Sequence, residues 1–346
     1  MLHLKKLPLN TVEDLRHWLH GAVRLELSTL PPYLTALYSI KPGKNLEIAA
    51  NLRSVALEEM LHMCLASNML NAVGGCPAIN APGFAPRYPT PLPMGIGCEP
   101  GQPFIVPLKK LTMRLIEDIF MVIEEPEDPD KCVHEDTPES STPDYHTIGE
   151  FYEAIQTFIM KSGDAIFTGD PALQVTGWFP TAELFPVTDT ASACRAIQVI
   201  IQQGEGTKTT PTCIGGEYAH YYRFAEIANQ QRLVEDPTKP RGYAFSGAAI
   251  PFDPEGVYPM VDNPTLVELP EDSLVARYAK QFDETYTALL NAMQATVTGQ
   301  PDQLNTAVGV MYTLRLEAQQ LMATRIPGRS VHAGPRWKFV GPAASA

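Results

Sequence analysis

The chain has 346 residues, of which 45% are hydrophobic, and its 39 acidic residues outnumber its 26 basic residues, giving a formal net charge of -13. This composition supports a substantial folded core, and the negative charge disfavours nucleic acid as a partner because it would repel a phosphate backbone. The N-terminus lacks an apolar stretch long enough for a secretory signal, and nowhere do about eighteen uncharged apolar residues run together, so we expect a cytoplasmic protein that does not enter a membrane.

The first predicted helix begins near Thr11 and carries a carboxylate on its apolar side. Thr11 can cap the free amide groups of the first turn, and Glu26 lies within or beside the apolar stripe that follows. Glu26 could bind a metal, or it could pair with Arg53 or another cation across a helix interface, and this residue by itself leaves both alternatives open. The Pro31-Pro32 pair predicts a kink, after which helical character resumes.

The second helix is predicted over residues 46–73 and contains a Glu-x-x-His pair. Glu59 and His62 are three residues apart and therefore share the apolar helix face. The helix should end at Gly74-Gly75. A third periodic segment covers residues 108–123, and the acidic run that follows, Glu124–Glu139, is typical of a solvated loop, to which we assign no chemistry.

A fourth helix is predicted over residues 147–160, with Glu150 closer to its apolar stripe than its acidic neighbour Glu153. The next helix, residues 190–203, breaks at a Gly-Glu-Gly segment that contains Glu205. A further helix is expected from Gly216 onward, where Glu217 and His220 form a second Glu-x-x-His pair. Either Glu205 or Glu217 could be the carboxylate partner of His220.

The remaining sequence predicts an antiparallel helical pair over residues 273–297 and 302–324. We therefore expect an all-α four-helix bundle with long Pro-rich loops and additional C-terminal helices. Residues 1–235 would form the metal-binding bundle with long insertions. Residues 236–346 would form a Pro-rich connection, the helical pair and a docked tail, packed on the bundle as one unit.

Two Glu-x-x-His pairs and single glutamates from neighbouring helices are the ligand set of a dinuclear metal site in a helical bundle. Burial of an unpaired carboxylate costs several kcal/mol, and a coordinated cation removes most of that cost. The predicted ligands are Glu26, Glu59, His62, Glu150, Glu205 and His220, with Glu217 as the competitor of Glu205. Two iron ions are the expected cofactor, and manganese or another divalent metal would also suit these donors.

Several motifs together resemble a known family over about residues 12–230. They are Arg24–Ser39 (RLELSTLPPYLTALYS), Glu58–Met63 (EEMLHM), Asn68–Gly75 (NMLNAVGG), Gln203–Gly206 (QGEG) and His220–Phe224 (HYYRF). They are similar to the ferritin-like domain of the iminophenyl-pyruvate dimer synthase family, whose members couple two imines derived from oxidised aromatic amino acids. The resemblance implies that Glu26, Glu59 and His62 are ligands, and it favours Glu205 because the Gly-Glu-Gly segment is a family signature.

The leading hypothesis is an oxygen-dependent di-iron oxidoreductase. Its substrate would be a small aromatic or amino-acid-derived molecule, and its reaction would be oxidation or oxidative coupling of imines, with dioxygen as a partner. The alternative is an iron-handling protein that transforms no organic molecule. The long loops and extra C-terminal helices would wall off a pocket, which favours an enzyme. A homo-oligomer is compatible with either hypothesis.

Overall fold

Helices dominate the computed structural model, which describes residues 8–96, 103–126, 147–207, 210–213, 215–239 and 242–341. They are α1 (Val12–Tyr38), α2 (Leu46–Ala72), α3 (Met113–Leu115), α4 (Met121–Ile123), α5 (Ile148–Ser162), α6 (Thr190–Gly204), α7 (His220–Asn229), α8 (Leu274–Thr296) and α9 (Gln303–Ala323). A π-helical turn, Ile116–Phe120, joins α3 to α4. Two antiparallel pairs of short strands complete the fold: β1 (Thr90–Pro91) with β2 (Ile105–Val106), and β3 (Gln231–Glu235) with β4 (Tyr243–Ala249). The predicted all-α class is confirmed.

Helix α1 begins where the sequence predicts and continues through both prolines. Thr11 and Asp14 form a capping box, in which each side chain accepts a hydrogen bond from the other residue's backbone amide. Pro32 has no N–H, so the carbonyl of Ser28 lacks its usual helical donor. The hydroxyl of Tyr88 donates to this carbonyl at 2.7 Å. The hydrogen bond from Tyr88 therefore replaces the helical donor that Pro32 cannot supply.

Helices α1 and α2 run antiparallel at the centre of the molecule. Arg16, near the start of α1, donates to the carbonyl of Val73 just after α2, and Thr29 donates to Glu59 further along both helices. From Glu59 to Ala72 every residue of α2 is buried. A helix that is covered on all sides forces any carboxylate it carries into the core.

The third helical segment differs from the prediction at both ends. It begins at Met113, where the hydroxyl of Thr112 caps the first turn, rather than at residue 108. At its other end Glu124 keeps a helical hydrogen bond from its amide to the carbonyl of Phe120, and the residue is 3% exposed. The assignment of Glu124 to a solvated loop is therefore wrong. Residues 127–139 of the predicted loop lie outside the described residues.

Helix α7 begins at His220, so the predicted start at Gly216 is wrong. Before it the chain forms a tight turn, in which the amide of Cys213 donates to the carbonyl of Glu217 and Thr212 pairs with Tyr218 in an isolated β-bridge. Glu217 is exposed in this turn. Because Glu217 and His220 do not share a helix, their spacing does not bring them to one face.

The C-terminal helices form the predicted antiparallel pair, since Gln281 near the start of α8 donates to Glu317 near the end of α9. The chain after α9 returns to the bundle, where the buried Trp337 donates its indole N–H to the hydroxyl of Thr35 in α1 at 2.8 Å. No helix in the described ranges combines the length and apolarity needed to cross a membrane.

Candidate metal centre

Three carboxylates and two imidazoles meet in the core between the helices. They form two groups, one of Glu26, Glu59 and His62 and the other of Glu59, Glu124 and His220, and in each group the possible ligand atoms lie within 4.8 Å of one another. All five residues are at most 3% exposed. Glu59 belongs to both groups, which places a single carboxylate between two potential cation positions.

Four helical elements supply these side chains. Glu26 comes from α1, and Glu59 and His62 come from α2, where a spacing of three residues aligns them on one face. Glu124 is the residue directly after α4, and His220 is the first residue of α7. Since these elements are far apart in the sequence, only the packing of the helices brings their side chains together.

Each imidazole directs one nitrogen at the carboxylates. His62 Nδ1 lies 3.8 Å from Glu26 Oε2 and 3.7 Å from Glu59 Oε1. His220 Nδ1 lies 2.9 Å from Glu59 Oε1 and 3.4 Å from Glu124 Oε2. The Nδ1 atom of His220 is nevertheless buried without a partner in hydrogen-bond geometry. A buried nitrogen that faces carboxylates in this way suits a shared cation, because imidazole and carboxylate are both ligands of divalent iron, manganese and zinc.

The second nitrogen of each imidazole is held from outside the cluster. His62 Nε2 is 2.8 Å from Gln203 Oε1, and His220 Nε2 is 3.1 Å from Glu58 Oε2. Both acceptors require the proton on Nε2, which leaves the Nδ1 lone pair directed at the cluster. Arg223 donates to the same Glu58 at 2.7 Å and fixes this carboxylate in turn. The donor set and its outer partners therefore fit a dinuclear metal site.

Hydroxyl groups hold the three carboxylates in place. Tyr152 donates to Glu26, Tyr33 donates to Glu124, and Thr29 donates to Glu59. Each hydroxyl bonds one carboxylate oxygen, and the other oxygen remains available to the cluster. The carboxylates are thus oriented before any cation binds.

Burial and mutual repulsion set the protonation of the metal-free cluster. Desolvation, reinforced by the charge of Glu59, raises the pKa of Glu26 and of Glu124. Desolvation also opposes ionisation of Glu59, but hydrogen bonding and attraction to His220 outweigh it and lower the pKa of Glu59. For His220, burial is outweighed by the surrounding carboxylates, which raise its pKa, whereas burial lowers the pKa of His62 to about 4. A bound cation would replace the retained protons.

Glu205 lies beside the cluster without belonging to either group. It lines a cavity of about 10 Å³ together with Glu26, Glu59 and Glu124. Its carboxylate accepts a hydrogen bond from the amide of Gly149 at 2.6 Å, and a Cβ atom at Gly149 would come within 2.5 Å of it. Burial raises the pKa of Glu205 to about 8.

The structure does not bring Glu150 or Glu217 into the cluster. Glu150 is the third residue of α5 and forms a capping box with Thr147. Its side chain accepts a hydrogen bond from the Thr147 amide at 3.3 Å, which ties it to the helix terminus. Glu217 is exposed in the turn before α7. Arg53, proposed as a possible partner of Glu26, is also exposed and forms no ion pair with Glu26.

Glu124 is the site residue that sequence reasoning missed. It lies four residues after Phe120 and eight after Ile116, which are both buried, so it extends their apolar stripe. This periodicity could have identified it. The prediction failed because the acidic residues that follow gave the segment the composition of a solvated loop.

The chain belongs to the ferritin-like family, whose match covers residues 19–229. It is 26% identical to dichlorochromopyrrolate synthase from Lentzea aerocolonigenes, in a match that covers 96% of this chain but 36% of the synthase. The chain thus spans little more than a third of that relative's length. It also shares a fold with the crystal structure of a ferritin-like protein from Caulobacter vibrioides, with a TM-score of 0.63, 22% identity, and coverage of 95% of this chain and 99% of the other. The predicted ferritin-like bundle is confirmed, and assignment to the narrower dimer synthase family stays a prediction.

Proposed function

We propose that the protein is a dinuclear-metal oxidoreductase that holds two iron ions in this cluster. The observation that carries the proposal is the shared position of Glu59 in two buried groups, each with one imidazole and a second carboxylate. A single carboxylate between two cation positions, with one histidine for each cation, is the arrangement of dinuclear carboxylate sites in helical bundles. Manganese would suit the same donors.

Glu205 is proposed as the fourth carboxylate. Glu26, Glu59 and Glu124 supply three negative charges when ionised, and Glu205 on the same cavity wall would supply the fourth. Four carboxylates would neutralise two divalent cations, which lowers the cost of burying the site. We propose Glu124 for the ligand position that the sequence assigned to Glu150, since Glu150 caps its own helix.

The chain's residues would orient the ligands and manage protons. The hydroxyls of Tyr33 and Tyr152 hold Glu124 and Glu26, and Glu58 and Gln203 hold the two imidazoles. When bound, the iron ions would supply the capacity to pass electrons from an organic substrate to dioxygen. The protons that the carboxylates lose on metal binding would leave through neighbouring polar groups or water.

The proposed substrate is a small aromatic or amino-acid-derived molecule, and oxidative coupling of imines is the proposed reaction. The similarity to dichlorochromopyrrolate synthase, an enzyme by its name, supports an enzymatic role. The motifs of α1, α2 and the Gly-Glu-Gly segment support the narrower resemblance to dimer synthases. A cytoplasmic location and a homo-oligomeric state remain predictions.

One observation favours the second candidate function, iron handling without an organic substrate. The cavity that touches the cluster, about 10 Å³, has room for little more than one water molecule. An organic substrate would require more space than this cavity offers. Turnover assays therefore have to accompany metal analysis.

Metal analysis of the His62→Ala variant tests the cluster directly. We expect about two iron ions per chain in the wild-type protein and loss of at least one in the variant, because His62 is the imidazole of one group. His17→Ala is the matched control, since His17 is exposed on α1 and should leave the metal content unchanged. Full metal occupancy in His62→Ala would contradict the assignment.

Oxygen consumption separates the two candidate functions. Substrate-dependent oxygen uptake by iron-loaded protein, with an aromatic α-imino or α-keto acid, supports the oxidoreductase. Uptake that follows only the amount of ferrous iron added supports iron handling. Protein that binds no metal would contradict both candidate functions.

A further inference from the structure

A second and much larger cavity lies away from the metal cluster. Its volume is about 430 Å³, which is within the range of about 300–1,000 Å³ for small-molecule sites. It is lined by the second half of α1, the first half of α2, the segment around Trp178 and helix α9. Its apolar wall includes Leu34, Met60, Phe179 and Met311.

This cavity and the cavity at the cluster share no lining residue. On α1 the cluster side carries Glu26, while Leu34 and Leu37 line the larger cavity. On α2 the corresponding residues are Glu59 and Met60, which point about 100° apart around the helix axis. The two sites are therefore separated along α1, where Leu34 and Leu37 lie eight and eleven residues beyond Glu26, and around the axis of α2.

Large apolar side chains stay exposed at the rim of the cavity. Tyr312 is 69% exposed, Trp178 is 54% exposed and Leu57 is 46% exposed. Scattered exposed apolar residues are ordinary, but three around the mouth of one cavity are typical of a ligand site. Trp178 and Tyr312 present flat aromatic surfaces that suit an aromatic ring.

Two arginines introduce positive charge into this apolar environment. Arg53 of α2 and Arg315 of α9 both line the cavity. Neither forms a salt bridge with an acidic group among the residues that the structure describes. A guanidinium group matches the planar, bidentate geometry of a carboxylate, and the low polarity of the walls would strengthen that contact.

Trp178 has an unusual backbone conformation, and a hydrogen bond restrains its side chain. Its φ angle is +68°, a left-handed value that is rare for a bulky residue, and its indole N–H donates to Asn305 of α9 at 3.0 Å. Such conformations persist where the surroundings enforce them and concentrate at ligand sites. The hydrogen bond links the segment around Trp178 to α9 across the mouth of the cavity.

We propose that this cavity binds a planar aromatic carboxylate, with its ring among Trp178, Tyr312 and the apolar wall and its carboxylate on Arg53 or Arg315. The site does not include the metal ligands, so it is a second binding site in addition to the proposed metal centre. Its occupancy should be the same in metal-free and metal-loaded protein.

Titration with 2-naphthoate, followed by calorimetry, tests the proposal. We expect one molecule to bind per chain. Removal of the guanidinium that holds the carboxylate, by Arg53→Gln or by Arg315→Gln, should weaken binding by about tenfold or more. Neutral 2-naphthamide should bind more weakly than 2-naphthoate by a similar factor. Val308→Trp fills the cavity from a half-buried position of α9 and should abolish binding.

Arg114→Gln is the matched control, because Arg114 is exposed on α3 and does not line the cavity. It should leave the affinity for 2-naphthoate unchanged.

Equal affinity for acid and amide, or unchanged affinity in both cavity arginine variants, would overturn the carboxylate assignment. Unchanged binding to Val308→Trp would place the ligand elsewhere. A dimer that Val308→Trp disrupts, with no naphthoate bound, would show that a second copy of the chain covers this face. None of these outcomes depends on whether the metal centre is active.

Discussion

At the residue scale, the candidate metal centre depends on individual side chains that orient its imidazoles and carboxylates. The outer acceptors Gln203 and Glu58 keep the protons of His62 and His220 on Nε2, so the lone pairs of Nδ1 face the carboxylates. Glu205 is half-buried, its carboxylate accepts a hydrogen bond from the amide of Gly149, and no ion pair with a cationic side chain is found for it among the residues that the structure describes. This environment makes its ionisation unfavourable in the metal-free protein.

Glu205 should make the metal-free protein less stable as pH rises. Its pKa is about 8 in the folded protein and about 4.5 as an ordinary glutamate, so between these values the folded state retains a proton that the unfolded chain has lost. The resulting stabilisation is fully present below about pH 4.5 and is lost as pH rises through about 8. Glu205→Gln stays neutral and its amide oxygen can accept from Gly149, so we expect its Tm to exceed that of the wild type at about pH 9 and to match it at about pH 4.

Thermal melts of metal-free protein across this pH range measure the effect. Glu217→Gln is the control, because Glu217 is exposed in the turn before α7 and its replacement should shift stability by no more than about 0.5 kcal/mol at any pH. A difference in Tm between Glu205→Gln and wild type that does not grow with pH would contradict a Glu205 that keeps its proton in the folded protein.

At the element scale, helix irregularities occur beside the cluster and are stabilised by side chains from elsewhere. The π-helical turn Ile116–Phe120 lies just before Glu124. Such turns insert an extra residue and redirect the side chains that follow, and they are common at functional sites. In α1 the prolines follow Glu26 by little more than a turn, and Tyr88 supplies the donor that Pro32 lacks.

Tyr88→Phe should destabilise the protein by about 1–3 kcal/mol, because it leaves the buried carbonyl of Ser28 without a donor while preserving the ring. Chemical denaturation measures this change in the free energy of unfolding. Tyr312→Phe removes a hydroxyl from a side chain that is 69% exposed and should be nearly neutral. Equal effects of the two substitutions would show that water or another group satisfies the carbonyl.

At the scale of the whole molecule, the C-terminal region is tied to α1. Trp337 donates to Thr35, stacks on Tyr38 and meets Tyr286 edge-on, and Arg336 forms an ion pair with Asp283 of α8. Thr35 and Tyr38 lie on the helix that carries Glu26. The docked tail therefore supports the same helix that contributes to the metal centre.

Trp337→Ala should lower the free energy of unfolding by about 3–5 kcal/mol, since it removes a large buried side chain and its indole hydrogen bond. If residues 236–346 pack on the bundle as one unit, denaturation should remain a single transition when followed by circular dichroism and by fluorescence. Val340→Ala, at a half-exposed position of the same tail, should have little effect. Two separate transitions in the wild-type protein would show that the regions unfold independently.

The sequence by itself determined the helical class and much of the candidate site. Local patterns suffice for features that depend on neighbouring residues, such as the cap at Thr11 and the shared face of Glu59 and His62. Glu26 was a candidate for a related reason, since a carboxylate within or beside an apolar stripe faces the core, and the structure buries it there.

Tertiary structure decided which distant groups complete the cluster. Glu124 joins it and Glu150 does not, although both are glutamates beside apolar stripes, because helix packing buries Glu124 after α4 and a capping box holds Glu150 at the start of α5. His220 enters the cluster at the first residue of α7 without help from Glu217, since the turn before it leaves that carboxylate in solvent. These outcomes depend on how separate helices pack and where each one starts, and spacing within one segment does not encode either.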